Sequence, residues 1–243
     1  MFRSAKGHAA MKIPLPSGRT SALLSLAAGA TIAAAASYEV FCPRATLFGR
    51  VVTHGPRNRH AVAILFDRSP NPSTEDVCRR LHELGASATF FLEGNRARRH
   101  QTASRAMKSF EIGIHGMHYR PLALRSEKTV RKEIQQACLA ARELQDRRIS
   151  FLLPPHGWKD LRLTSVAREL GLTVVNPSCT IRPGEAVTEG LLDRIRPGHL
   201  CLVPWRADLP SSVPVVNALT DLVTGLRARG LAPWGLSALL VGP

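Results

Sequence analysis

The feature that most restricts the fold is an alternation, repeated from residue 61 to residue 229, of short apolar runs with stretches of helical periodicity. The first run, Ala61-Val62-Ala63-Ile64-Leu65-Phe66, has no polar residue on either face. As a strand it must therefore be covered on both sides. Ser73 and Asp76 then resemble a capping box, followed by Val77, Leu81 and Leu84 at helical spacing and by Gly85 as a stop. Further strands are expected at 88–92, 111–114, 151–153, 172–175 and 200–203. Helical patterns lie near 102–110 and 129–144, before Leu170-Gly171, around Leu191-Leu192 and over 215–229. Repeated β–α alternation requires a parallel sheet with helices packed on it. Periodicity leaves open whether that sheet is doubly wound and open or closed into a barrel.

What precedes the alternation has a different character. Residues 1–19 carry Arg3, Lys6, Lys12 and Arg19, and about 19 uncharged residues, 20–38, separate Arg19 from Glu39. Positive charge before an apolar stretch predicts an exported chain whose N-terminus stays in the cytoplasm. The stretch reads as a membrane anchor or, through the Ala33-Ala34-Ala35-Ala36 run with its A-x-A pattern, as a removable signal peptide. The competing interpretation is a buried Ala-rich helix. Residues 39–59 read as a linker rich in Gly, Pro and basic residues with one short strand, and 60–243 as a single domain.

Charge and cysteines narrow the partners. Thirty-three Lys and Arg against 18 Asp and Glu give a net charge of +15, which attracts nucleic acid, acidic lipid headgroups or anionic envelope polymers. The export segment argues against nucleic acid. Cys42, Cys78, Cys138, Cys179 and Cys201 contain no C-x-x-C and form no zinc pattern. One pair could bridge in an exported protein; otherwise they read as small buried apolar residues.

Five segments share a family likeness. They are Phe66-Asp67-Arg68-Ser69-Pro70-Asn71-Pro72, Gly85-Ala86-Ser87-Ala88-Thr89-Phe90-Phe91-Leu92, Glu111-Ile112-Gly113-Ile114-His115, Leu153-Pro154-Pro155-His156-Gly157-Trp158, and Arg196-Pro197-Gly198-His199-Leu200-Cys201-Leu202. In order and spacing the chain resembles the NodB-homology polysaccharide deacetylases. The resemblance implies a distorted, incomplete (β/α) barrel with its site in the loops at the strand C-termini. It also implies removal of acetyl groups from N-acetylated sugars, with a divalent metal such as zinc held by one Asp and two His.

Carried over position by position, Asp67 stands where the family has its general base and His115 where it has the first metal histidine. Four other positions are substituted. Arg68 replaces the metal carboxylate, Tyr119 the second histidine, Leu153 the arginine that orients the base, and Pro204 the late general acid. A guanidinium has no free lone pair with which to ligate a metal. His118, one residue early, is a candidate ligand of a rearranged site with His115; solvation is its competing reading. Pro154, Pro155, His156, Gly157 and Trp158 would line the substrate groove. Trp158, Trp205 and Trp234 could stack on sugar rings or simply pack. Arg68 could supply the positive charge that holds Asp67 in the cleft. The expected function is an envelope protein that acts on or binds N-acetylated or anionic glycan, with hydrolysis impaired or lost; the resemblance implies a divalent metal, and the substitutions leave open that this copy holds none. The alternative is an active N-deacetylase with a rearranged metal site.

Overall fold

The computed structural model describes residues 18–42, 49–181, 187–204 and 212–242. The chain divides into two compact units, Met1–Tyr38 and Glu39–Pro243. The first contains most of helix α1 (Gly18–Phe41), whose apolar residues fall on all sides rather than one. No helix among the described residues is long and apolar enough to cross a membrane. Arg3, Lys6 and Lys12 of the expected export signal lie outside the described residues.

The second unit is built on a nine-stranded parallel sheet. Its strands are β1 (Val51–Val52), β2 (Ala61–Ser69), β3 (Thr89–Leu92), β4 (Glu111–Ile114), β5 (Phe151–Leu152), β6 (Thr173–Val175), β7 (Cys179–Thr180), β8 (Leu200–Val203) and β9 (Ala232–Trp234). The spatial order is β1-β6-β5-β4-β3-β2-β8-β7, and β9 pairs with the start of β2. β1 and β7 end this order without pairing to each other. Beyond β1, a single bridge joins His54 to His199, just before β8, and Gly55 N donates to the Gly198 carbonyl (2.7 Å). The result is the incomplete (β/α) barrel that the sequence resemblance implied.

Strand pleating sorts the apolar runs into two layers. Val62, Ile64 and Phe66 of β2 face the surrounding helices together with Phe90, Ile112, Ile114, Leu152, Val174 and Cys201. Ala61, Ala63 and Leu65 face the barrel interior with Phe91, Phe151, Leu153, Val175 and Leu200. This two-sided burial explains why β2 carries no alternation of polar and apolar residues. Gly113 faces the same interior because a Cβ there would lie 2.6 Å from the Phe91 ring.

The helices are α2 (Thr74–Glu83), α3 (Gly94–Arg99), α4 (Gln101–Ala106), α5 (Glu127–Leu144), α6 (Leu161–Glu169), α7 (Glu189–Leu192), α8 (Val213–Ala228) and α9 (Leu236–Val241). Four details differ from the sequence reading. Ser73 makes no side-chain cap on α2; its N–H donates to Asn71 Oδ1, and Asp76 pairs instead with Arg79 and Ser212. The helix expected near 102–110 ends at Ala106 as α4 and is preceded by α3. β9 contains Pro233, which is tolerated because this strand pairs on one side only. Finally, α9 follows where no helix was expected. The expected linker supplies β1, which pairs with β6.

Candidate functional site

The candidate site residues of the motifs lie at or beyond the C-terminal ends of strands: Asp67 and Arg68 on β2, His115 and Tyr119 after β4, Leu153 to Trp158 after β5, and Pro204 after β8. In a parallel barrel these ends converge on one face.

His115 is 2% exposed and is fixed by Leu153, whose carbonyl accepts from Nδ1 at 2.6 Å. A carbonyl can only accept, so Nδ1 carries the proton and Nε2 keeps its lone pair. Nε2 is buried without a hydrogen-bond partner. Burial first, then the charges of Arg68 and His156, push this imidazole down to about 4, against the opposing hydrogen bond to Leu153. It is neutral at physiological pH.

Arg68 bends the end of β2. Its φ is 47°, and the pairing of β2 with β3 shifts register between Phe66 and Ser69. The guanidinium lies over the Tyr119 ring, with Cζ 4.3 Å from its centroid, a cation–π arrangement. Arg68 Nε is buried without a hydrogen-bond partner. Tyr119 in turn packs on His115 (centroids 5.3 Å apart) and on His156 (4.5 Å). His156 continues to Trp158 (5.5 Å), which meets Phe41 edge-on (4.9 Å). The five rings form an unbroken row. Burial, and next the nearby Asp67 carboxylate, raise the Tyr119 phenol above its ordinary value, so it stays protonated.

Two charged residues join the site that the motifs did not single out. Glu93, 7% exposed, and Arg96 follow β3 and form an ion pair at 3.3 Å. Arg96 also donates to the Pro70 carbonyl (3.3 Å). Burial lowers the Arg96 pKa, Glu93 opposes that, Arg68 adds to it and Asp67 opposes it, so all four groups share one electrostatic neighbourhood. The signal that could have found them is positional, since Glu93 directly follows β3 and Arg96 lies in the first turn of the helix after it.

The other candidates go elsewhere or serve the scaffold. His118 turns to α5, where its Nδ1 lies 2.9 Å from Glu133 Oε1. Pro154 and Pro155 are buried, while His156 is exposed with φ 61°. Gly157 offers its carbonyl to Asn176 Nδ2 (3.2 Å), which ties the groove loop to the end of β6. Pro204, half-buried after β8, brings no titratable group. Trp205 lies outside the described residues, and Trp234 sits on β9 at the opposite end of the barrel.

The polysaccharide deacetylase family pattern matches residues 54–175, half of the chain, and spans the strands that carry this cluster. The chain belongs to the polysaccharide deacetylase family. It is 29% identical over 194 residues to a chitooligosaccharide deacetylase of Azorhizobium caulinodans, covering 72% of this chain and 92% of that protein. It is 26% identical over 202 residues to a peptidoglycan-N-acetylglucosamine deacetylase of Bacillus cereus, covering 79% and 93%. The fold matches that of a family 4 carbohydrate esterase pseudoenzyme from Bacillus anthracis with a TM-score of 0.69 at 18% identity, over 79% of this chain and 69% of the other.

Polysaccharide deacetylases are generally metal-dependent. The residues present do not fit a divalent ion. His115 offers one good nitrogen, but the neighbouring groups are the Arg68 guanidinium and the Tyr119 ring. Among the described residues no three His, Cys, Asp or Glu side chains converge. A dication placed at Nε2 would face the same guanidinium charge that already disfavours the imidazolium. The cluster can stack on an apolar ring face and hydrogen-bond to polar groups at the ring's edge; no group for protonating a leaving amine stands at position 204.

Proposed function

We propose that this protein is a non-hydrolytic member of the polysaccharide deacetylase family that binds N-acetylated or anionic glycan in the cell envelope. The observation that carries this reading is the Arg68 guanidinium stacked on Tyr119, side by side with a neutral, buried His115. The stack occupies the place where the family motif would put a carboxylate and a second histidine. The row from Tyr119 through His156 to Trp158 supplies aromatic faces on which the C–H surface of a sugar packs. The +15 charge favours anionic envelope polymers, and the segment 20–38 serves as export signal or anchor.

The rival reading is an active N-deacetylase with a rearranged metal site. It rests on the unpartnered Nε2 of His115, a nitrogen oriented from behind by a backbone carbonyl as metal-binding histidines commonly are. One experiment separates the two. The purified chain is loaded with zinc, washed and assayed for bound metal and for acetate released from N-acetylglucosamine oligomers. Neither retained zinc nor acetate is expected. The double variant Arg68→Asp/Tyr119→His is expected to retain about one ion per chain. Stoichiometric zinc in the unaltered chain, lost in His115→Ala, would establish the rival. Loss of oligomer binding in Trp158→Ala, read by titration calorimetry, is expected under the binding reading.

A further inference from the structure

Cys179 and Cys201 lie away from the aromatic row, on β7 and β8. They are direct register partners, and their Sγ atoms are 3.0 Å apart. Register partners on neighbouring strands have Cα atoms about 4.8 Å apart. Disulfides span Cα separations of about 4.4–6.8 Å, so the backbone need not move for these two sulfurs to bond. Their surroundings differ. Cys201 is fully buried between the sheet and its helices, whereas Cys179 is half-buried on the terminal strand of the sheet, with Arg194 nearby. The hydrogen bond with Cys201, and to a smaller degree Arg194, hold the Cys179 thiol below its ordinary value. Cys78, by contrast, is pushed up to about 12 by burial.

We propose that Cys179 and Cys201 are a dithiol pair that closes to a disulfide joining β7 to β8, with a low-molecular-weight disulfide of the glutathione type as co-reactant. Cys179 is the attacking sulfur. Having released its proton, it bonds to one sulfur of the oxidant, whose own S–S bond breaks and whose other sulfur leaves as thiolate. Cys201, on losing its proton, then attacks Cys179 Sγ and expels the second thiolate. Two protein thiols are oxidised by two electrons in all, and the oxidant is reduced to two thiols that take up the two protons. Closure ties the last strand of the sheet to β8, the strand that leads into Pro204. The chemistry is independent of whether the site binds glycan.

The test uses the full chain, reduced, then equilibrated with oxidised glutathione, denatured, alkylated and mapped by mass spectrometry. The expected result is a peptide pair joining Cys179 to Cys201, with Cys78 and Cys138 carrying the alkyl label. The proposal also requires Cys201→Ala to stall with glutathione attached to Cys179. Thermal unfolding should occur at a higher temperature in the oxidised chain than in the reduced one, a difference that Cys179→Ala abolishes. Alkyl label on both Cys179 and Cys201 after oxidation would overturn the proposal, as would a bridge from either to another cysteine. A Cys201→Ala chain in which Cys179 takes up no glutathione would overturn the assignment of the attacking sulfur.

Discussion

His115 is a fully buried imidazole whose pKa stands at about 4 against an ordinary 6.5, with burial as the leading cause. Between those values the unfolded chain binds a proton that the folded chain refuses, so acid favours unfolding. Stability is complete above pH 6.5, falls as the pH drops, and levels off below pH 4, for a loss of about 3 kcal/mol from this group. Urea unfolding at pH 7 and pH 4.5 checks this against His115→Asn, in which the amide still donates to the Leu153 carbonyl. The unaltered chain should lose about 2 kcal/mol more than the variant between the two pH values. Equal losses would mean that the imidazole is not depressed. Arg68 acts on the same residue, so Arg68→Ala should raise the His115 pKa, as read by the ring proton shifts in NMR.

Helix ends show where local pattern and tertiary contact part. Ser126 caps α5, its hydroxyl accepting from Thr129 N (3.3 Å), whereas Ser73 before α2 makes no such bond. Ser126→Ala should therefore cost about 1 kcal/mol and Ser73→Ala close to nothing, measured by chemical denaturation. Asp160 does more. One carboxylate oxygen caps α6 at Leu163 N (2.9 Å), and the other accepts from Leu124 N (2.9 Å), in the loop before α5. Asp160→Ala leaves both donors without that partner and should cost about 2–4 kcal/mol. A cost equal to that of Ser126→Ala would show that the contact to Leu124 contributes nothing. At α9 the cap comes from a distant strand, with Glu111 accepting from Leu236 N (2.7 Å) and Ser237 N (3.1 Å).

At the scale of the whole barrel, closure depends on the contact between the segment after β1 and the turn before β8. Gly198 has φ +82°, its N–H donates to the Ala61 carbonyl (2.8 Å), and an added Cβ would lie 2.5 Å from the Gly55 carbonyl oxygen. The atom met is backbone and cannot rotate away. Gly198→Ala should therefore cost about 3 kcal/mol, combining positive-φ strain with displacement of the Gly55 segment. Gly230 is the control. Its φ is +69° but a Cβ would meet open space, so Gly230→Ala should cost only about 1 kcal/mol. Similar losses at the two sites in urea titrations would mean that the Gly55–Gly198 contact adds nothing to stability.

The barrel's strand order follows from segments whose neighbours in sequence already demand it. The run 61–66 had to be a central strand because it offers no face to water, and from β2 to β6 each strand is separated from the next by helix. Asp67, Arg68, His115, Tyr119 and Leu153 were legible as site positions because the family motifs they stand in are local in sequence. Other features depend on residues far apart in sequence. Glu111 caps a helix that starts 125 residues later, Pro233 is tolerated only because β9 has a single neighbour, and His118 finds Glu133 on α5. The stacking of Arg68 on Tyr119 has the same origin. The motifs named both substitutions, but loops from β2 and β4 had to converge before one could be seen to cover the other. Periodicity records which face of a segment is buried; it carries no record of which distant side chain buries it.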